Sequence, residues 1–123
     1  MFKGTYEVES VEKRDEFWEA LGSGKPETME KVTELSQTGM EITWTRPEGP
    51  RNWTNKFTIG KECELTTRRG LIFKAIPAYM MGTLIVQFPA FLFTAQIVEG
   101  KLIETYTVPG EKGVTMKKVS IQI

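Results

Sequence analysis

The side chains that most often perform catalysis are scarce in this sequence. Its 123 residues include no histidine and one cysteine, Cys63, so the commonest general base and the commonest metal ligand are both missing. We also find no nucleophile elbow and no pair of carboxylates at a spacing typical of acid–base catalysis. The sequence therefore predicts a protein without enzymatic activity, without a cofactor and without a metal site. The remaining candidate functional residues are those that could bind a ligand.

Two phenylalanines occupy one face of the stretch that follows Pro89. Side chains two residues apart lie on the same side of a strand, so Phe91, Phe93 and Ala95 face one way. Such a face either fills an ordinary core or lines a cavity that another molecule occupies. The alternation alone leaves both possibilities open.

In each of two later predicted strands, charged and polar side chains lie on the same face. Glu104 and Tyr106 lie on one face of a predicted strand. Near the C-terminus, Met116, Lys118 and Ser120 share a face in the same way. If that face is buried, the Lys118 ammonium needs a partner, because burying an unpaired charge is costly. A ligand carboxylate or an internal pair with Glu104 would supply one, whereas a register slip would turn Lys118 outward.

The elements that would position these residues are mostly short strands. Turn signals recur about every 8 to 12 residues, a spacing typical of a sandwich or barrel of about ten strands. One helix interrupts them early: in RDEFWEALG, Phe17 and Leu21 have the spacing of one helix face, and Trp18 lies beside it. Pro77 falls inside an apparent strand and requires a sheet edge or a bulge there, because proline cannot donate a ladder hydrogen bond.

The composition excludes several partners. Lysine plus arginine equals aspartate plus glutamate, 16 against 16, so the chain lacks the basic surplus of a nucleic-acid-binding protein. A strongly anionic membrane is not expected as its main partner either. No window approaches about 18 apolar residues, which argues against a transmembrane helix. A length of 123 residues fits a single domain over residues 1–123. A lone cysteine and a start, MFKGTYEVES, without a signal-peptide pattern predict the reducing cytoplasm.

Several motifs occur together in an order that resembles the intracellular fatty-acid-binding proteins. The start Phe2-Lys3-Gly4-Thr5-Tyr6 is similar to their F-x-G-x-aromatic opening, and Asp15-Glu16-Phe17 followed by Leu21-Gly22 is similar to their first lid helix. The rest of the pattern is carried by Thr43-Trp44-Thr45, residues 55–62 (NKFTIGKE), Phe73-Lys74-Ala75, Phe88-Pro89 and Gly100-Lys101-Leu102-Ile103-Glu104. The resemblance covers nearly the whole chain and is greatest for the ileal bile-acid-binding and liver-type branches.

The resemblance implies an all-β fold. This would be a ten-stranded antiparallel up-and-down β-barrel of the calycin type, flattened like a clam, with a helical lid after the first strand. Members of the family carry fatty acids, bile acids or retinoids in the cytosol and are not enzymes. This chain is several residues shorter than its relatives between Gly22 and Val32. The lid, at about residues 14–31, is therefore expected to be reduced.

The resemblance also implies a set of site residues. Those facing the ligand would be Trp44, Asn55, Phe91, Phe93, Glu104, Tyr106, Met116, Lys118 and Ser120, and those at the portal would be Phe17, Trp18 and Leu21. Lys118 stands where the family has an arginine, and Phe93 stands where bile-acid binders have a polar side chain. Both departures argue against a bile acid as the ligand. Asn55 could instead cap a turn or donate a hydrogen bond within the sheet.

We therefore expect a monomeric, non-enzymatic cytoplasmic protein that binds and transports fatty acids or similar amphipathic lipids in an internal cavity. Its contact with membranes would be transient at most. A bile-acid binder of the same fold is the first alternative. The second is an engineered or structural β-barrel without a physiological ligand.

Overall fold

One short helix and eleven β-strands make up the regular structure of the described residues. The computed structural model describes residues 2–22, 31–48, 51–67, 70–110 and 113–123. In chain order the elements are β1 (Gly4–Glu12), α1 (Arg14–Leu21), β2 (Val32–Thr38), β3 (Glu41–Glu48), β4 (Arg51–Thr58), β5 (Cys63–Thr66), β6 (Ile72–Ala75), β7 (Ala78–Met80), β8 (Thr83–Gln87), β9 (Leu92–Val98), β10 (Lys101–Thr107) and β11 (Thr115–Gln122).

Antiparallel pairing builds one large sheet and one small sheet. The large sheet has nine strands in the order β4-β3-β2-β1-β11-β10-β9-β8-β7, and β5 pairs with β6 in the small one. The first and last strands are neighbours through the antiparallel β1–β11 pair. This order confirms the up-and-down arrangement expected from the sequence.

The large sheet curls so that strands far apart in its order face each other. Trp44 on β3 and Phe93 on β9 have ring centroids 5.4 Å apart, although β2, β1, β11 and β10 lie between their strands in the sheet. Alternate residues of each strand point into the interior. On β10 these residues are Leu102, Glu104 and Tyr106, and all three are buried. The core therefore lies inside the curl, among the side chains of one face of each strand.

The expected ten strands become eleven because one of them breaks into β6 and β7 at Ile76 and Pro77. Pro77 is buried and has no N–H to donate. Its carbonyl oxygen accepts a hydrogen bond from the Gly60 N–H at 2.8 Å. Because β6 pairs with β5 while β7 pairs with β8, the proline lies where the chain passes from the small sheet to the large one.

Helix α1 follows β1 directly, as the sequence predicts. Asp15 and Glu16 in its first turn interact favourably with the helix dipole. Gly22 ends the helix in a left-handed conformation, φ 71°, that suits glycine. Its buried residue is Phe17, which anchors the helix to the barrel. Residues 23–30, where the rest of the shortened lid would lie, are outside the described part of the chain, so the length of the lid stays a prediction.

Side-chain hydrogen bonds join the small sheet to β4, which is an edge of the large sheet. Asn55 Nδ2 donates to the carbonyl oxygen of Thr66 at 3.0 Å, and the Thr66 N–H donates back to Asn55 Oδ1 at 2.9 Å. Trp53 Nε1 donates to the same carbonyl oxygen at 3.0 Å. The Asn55 side chain thus connects β4 of the large sheet to β5 of the small sheet.

Asn55→Ala should loosen the small sheet without unfolding the large one. The change leaves the Thr66 N–H without its acceptor, and an unmade buried hydrogen bond costs about 1–3 kcal/mol. We expect amide hydrogen exchange in β5 and β6 to accelerate about tenfold, with little change in β9 to β11. Asn52→Ala, on the same strand with an exposed side chain, is the matched control. Equal exchange in the two variants would contradict this role of Asn55.

Candidate ligand cavity

A small cavity lies inside the barrel, between β3, β4 and β5 on one side and β8, β9 and β10 on the other. Its volume is about 40 Å³. That is room for a few water molecules, whereas ligand pockets usually measure about 300–1,000 Å³. Most of the side chains on its wall are aromatic. The lining residues are Trp44, Arg46, Trp53, Asn55, Phe57, Leu65, Val86, Phe88, Phe91, Phe93 and Tyr106.

Aromatic rings fill most of the interior around this cavity. Phe88 and Phe91 stack with ring centroids 4.9 Å apart. Phe93 packs against Trp44 at 5.4 Å and against Tyr106 at 5.1 Å. Contacts of this kind are favourable beyond the area that they bury. Phe91 and Phe93, whose role the alternation left open, therefore do both: they pack against other rings and line the cavity.

Helix α1 closes one end of this aromatic cluster. The Phe17 ring lies 5.6 Å from Phe91 and 5.8 Å from Tyr106, edge-on to both. Its own relative exposure is 1%. Trp18 and Leu21 are partly buried against the same core. The three residues expected at a portal thus pack on the aromatic cluster, and Phe17 is the most buried of them.

A buried ion cluster lies next to the cavity. Glu104 is fully buried, and its Oε2 accepts hydrogen bonds from Arg46 Nη2 at 2.5 Å and from the Tyr106 hydroxyl at 2.9 Å. Its Oε1 lies 3.6 Å from Lys118 Nζ. Arg46 also donates from Nη1 to Thr33 Oγ1 at 2.9 Å. The internal pair of Lys118 with Glu104, one of the alternatives that the sequence left open, is therefore present.

This cluster keeps the Glu104 carboxylate ionised. Burial by itself would raise the pKa of Glu104. The positive charges of Arg46 and Lys118 and the hydrogen bonds from Arg46 and Tyr106 together hold this pKa below its usual value. A charge buried this deeply is tolerated only because it is paired and hydrogen-bonded.

Aromatic rings lie close to both cations of the cluster. The guanidinium carbon of Arg46 lies 5.6 Å from the ring centroids of both Trp44 and Trp53. Lys118 Nζ lies 5.8 Å from the Tyr106 ring centroid. Cation–π attraction is largest in desolvated sites, so these contacts offset part of the cost of burying two positive charges. They also hold the Arg46 side chain in place on the wall of the cavity.

The structure separates the predicted ligand-facing residues into two groups. Those that line the cavity are Trp44, Asn55, Phe91, Phe93 and Tyr106. Those that are buried in the same interior without lining the cavity are Glu104, Met116, Lys118 and Ser120. The hydroxyl of Ser120 forms no hydrogen bond with the described residues. Asn55 reaches the wall with its side chain already bonded to Thr66.

Six lining residues were not among the predicted site residues: Arg46, Trp53, Phe57, Leu65, Val86 and Phe88. The alternation of β3 could have indicated that Arg46 is buried, because it follows Ile42 and Trp44 on the same buried face. Its charge argued against this position, since an arginine is seldom fully buried. Pro47, which follows Arg46, is a residue type common in turns, whereas β3 continues through it to Glu48.

The described residues contain no group of three or more histidine, cysteine, aspartate or glutamate side chains placed to hold a metal ion. Within the same residues, no helix has the length and apolar character needed to cross a membrane.

Comparison with known proteins decides the family. The sequence pattern of the lipocalin / cytosolic fatty-acid binding protein family matches residues 1–123. The chain belongs to this family. Gastrotropin of Sus scrofa is 39% identical over 97% of this chain and 95% of its own. The liver fatty acid-binding protein of Mus musculus is 35% identical over 61% of this chain and 63% of its own.

A solved structure of the same family has a similar fold. The zebrafish ileal bile acid-binding protein complexed with cholic acid matches with a TM-score of 0.86 and 33% identity, over 98% of both chains. The family and the β-barrel fold predicted from the sequence are thereby confirmed. The contacts of individual residues with a ligand stay a prediction.

Glu104→Gln should destabilise the fold strongly. The change removes the negative charge shared by Arg46 and Lys118, and breaking a buried ion pair on one side typically costs about 3–5 kcal/mol. We expect the free energy of unfolding in urea to fall by roughly that amount. Glu9→Gln, which breaks an exposed pair with Lys101, is the matched control and should cost less than about 1 kcal/mol. Similar losses in both variants would refute a structural role for the cluster.

The same carboxylate should make the fold sensitive to acid. The pKa of Glu104 is lower in the folded state than in the unfolded chain, so the unfolded chain takes up its proton first as the pH falls. The stabilisation is complete above the unfolded pKa, about 4.3, and is lost as the pH falls through the folded pKa. Below about pH 5, the free energy of unfolding should therefore fall more steeply in the wild type than in Glu104→Gln. Parallel pH curves from urea titrations would show that another group is responsible.

Proposed function

We propose that this protein binds a fatty acid or a similar amphipathic lipid inside its barrel and carries it through the cytoplasm without altering it chemically. The observation that carries this proposal is the aromatic-lined cavity on the inner side of the curled sheet. Among the relatives, the mouse liver protein is named for fatty acid binding, and the zebrafish protein was solved with cholic acid. The proposal includes a monomer that makes at most transient contact with membranes and none with nucleic acid.

Ligand entry requires aromatic rings to move, because a cavity of about 40 Å³ is too small for a lipid. Phe88 and Phe91 lie in the turn between β8 and β9 rather than within a strand, and both are only partly buried. Phe93 lies within β9 and is 5% exposed, so it stays part of the wall. Displacing Phe91 also breaks its contact with Phe17. Opening of the cavity therefore removes part of the packing of α1 on the barrel.

Apolar burial supplies most of the binding free energy. Enclosing an acyl chain removes a few hundred Å² of apolar surface from water, and at about 25 cal/mol per Å² this contributes on the order of 10 kcal/mol. Association entropy and the disruption of ring packing when the lipid enters offset a large part of this gain. An affinity in the micromolar range follows.

A bile acid is the second candidate, and the similarity to the zebrafish protein solved with cholic acid favours it. The hydroxyl groups of a bile acid need hydrogen-bond partners in a buried site. On the cavity wall, Asn55 is already bonded to Thr66 and Tyr106 to Glu104. Phe93 adds an apolar face. An acyl chain requires no such partners, so the fatty acid is the first candidate.

Oleate should displace a fluorescent lipid probe from the protein in the micromolar range, and cholate should be about tenfold less effective because its hydroxyl groups lose hydrogen bonds to water. Intrinsic fluorescence follows the same titration, because Trp44 and Trp53 line the cavity. Phe93→Gln, which adds a polar side chain to the wall, should narrow the difference between the two ligands. A preference for cholate would support the bile-acid alternative. Displacement by neither ligand would support a barrel without a physiological lipid.

A further inference from the structure

We propose that Arg46, rather than Lys118, contacts the polar end of the ligand, and that this end is a carboxylate. The inference rests on the proposed function and adds the residue that selects the head group. Of the described residues that line the cavity, Arg46 is the one with a charged side chain. A lipid that enters the cavity therefore meets this guanidinium on the described part of the wall.

Lys118 is separated from Arg46 by the carboxylate that lies between the two cations. Glu104 presents Oε2 to Arg46 at 2.5 Å and Oε1 to Lys118 at 3.6 Å. Lys118 is buried but does not line the cavity. Glu104 contacts both cations, so it repels a ligand carboxylate at either of them. The two cations differ in access: a ligand in the cavity reaches Arg46 first, because Arg46 forms part of the wall.

Arg46 is held in position before any ligand arrives. Its Nη1 donates to Thr33, and its Nη2 donates to Glu104 and to the Tyr106 hydroxyl. Two tryptophan rings flank its guanidinium carbon at 5.6 Å each. A donor that is already ordered binds an anion without the entropic cost of ordering a flexible side chain. A guanidinium has five N–H donors in a planar fork, so it can bind a ligand oxygen while keeping bonds to protein groups.

The charge of Arg46 determines which head groups are accepted. A carboxylate buried without a charged partner loses its hydration and gains little in return. A cavity without this arginine would therefore prefer an uncharged lipid of the same length. A charge-assisted hydrogen bond reverses that preference. The ligand class that follows is a long-chain carboxylic acid in its ionised form, rather than the corresponding alcohol or ester.

The test compares oleate with oleyl alcohol, which has the same chain and no charge. For the wild type we expect oleate to bind about ten- to a hundredfold more tightly. Lys118→Gln should keep this ratio within about threefold of the wild type, whereas Arg46→Gln and Glu104→Gln added to Lys118→Gln should bring it close to one. The triple variant removes all three charges of the cluster, so none is left buried without its partner, and a thermal melt establishes that it is folded. Lys56→Gln, at an exposed cation on β4, controls for surface charge.

A second measurement does not depend on the folding of the triple variant. In oleate labelled with ¹³C at the carboxyl group, the carboxyl resonance reports ionisation of the bound lipid. Contact with a buried cation keeps the bound carboxylate ionised to below about pH 4.5, whereas a carboxyl buried without one titrates well above that pH. In the wild type we expect the carboxyl group of bound oleate to titrate below about pH 4.5. We expect the same titration in Lys118→Gln.

The possible outcomes distinguish failure of this inference from failure of the proposed lipid binding. Equal binding of oleate and oleyl alcohol by the wild type would overturn this inference and leave lipid binding intact. Loss of the preference in Lys118→Gln, with a raised carboxyl titration, would assign the head group to Lys118 and also overturn it. Binding of neither lipid would overturn the proposed function, and this inference with it.

Discussion

The ion pair between Arg46 and Glu104 is the contact on which the rest of the interior depends. It joins β3 to β10 at 2.5 Å, although β2, β1 and β11 lie between these strands in the sheet. Such a contact exists only if the sheet curls on itself, and it brings Thr33, Tyr106 and Lys118 to the same place. Because a buried charge without its partner is very costly, the cluster constrains the registers of β2, β3, β10 and β11 together.

The aromatic side of the interior has two roles that oppose each other. The rings around Phe93 support the fold by packing, and they occupy the space in which a lipid would lie. Under the proposed function, binding exchanges ring–ring contacts for ring–lipid contacts. The binding free energy is therefore the difference between what the ring–lipid contacts contribute and what the lost ring–ring contacts contributed. Arg46 lies where the ion cluster meets this aromatic side. A head group can therefore be selected there while the chain of the lipid is held by the rings.

Local sequence patterns predicted much of the fold, whereas contacts between residues far apart in the chain determine which side chains form the site. The spacing of Phe17 and Leu21 indicated the helix because side chains four residues apart share a helix face. The break at Pro77 was foreseeable because a proline lacks the N–H that a ladder requires. Arg46 was missed because its burial depends on Glu104, which reaches it only across the inside of the curled sheet. Asn55 was expected to face a ligand, and its bonds to Thr66 appear only once β5 lies beside β4.

By itself the sequence determined the family, the succession of strands and turns, and the face of its strand on which each side chain lies. The last two are local properties, set by alternation and by residues suited to turns, whereas the family follows from the resemblance of motifs spread over the chain. Only the tertiary structure decided which faces meet, so that Lys118 pairs with Glu104 and Arg46 reaches the cavity wall. Arg46 and Glu104 are 58 residues apart in the chain. Their contact depends on the register and curl of all the strands between them, which no local pattern records.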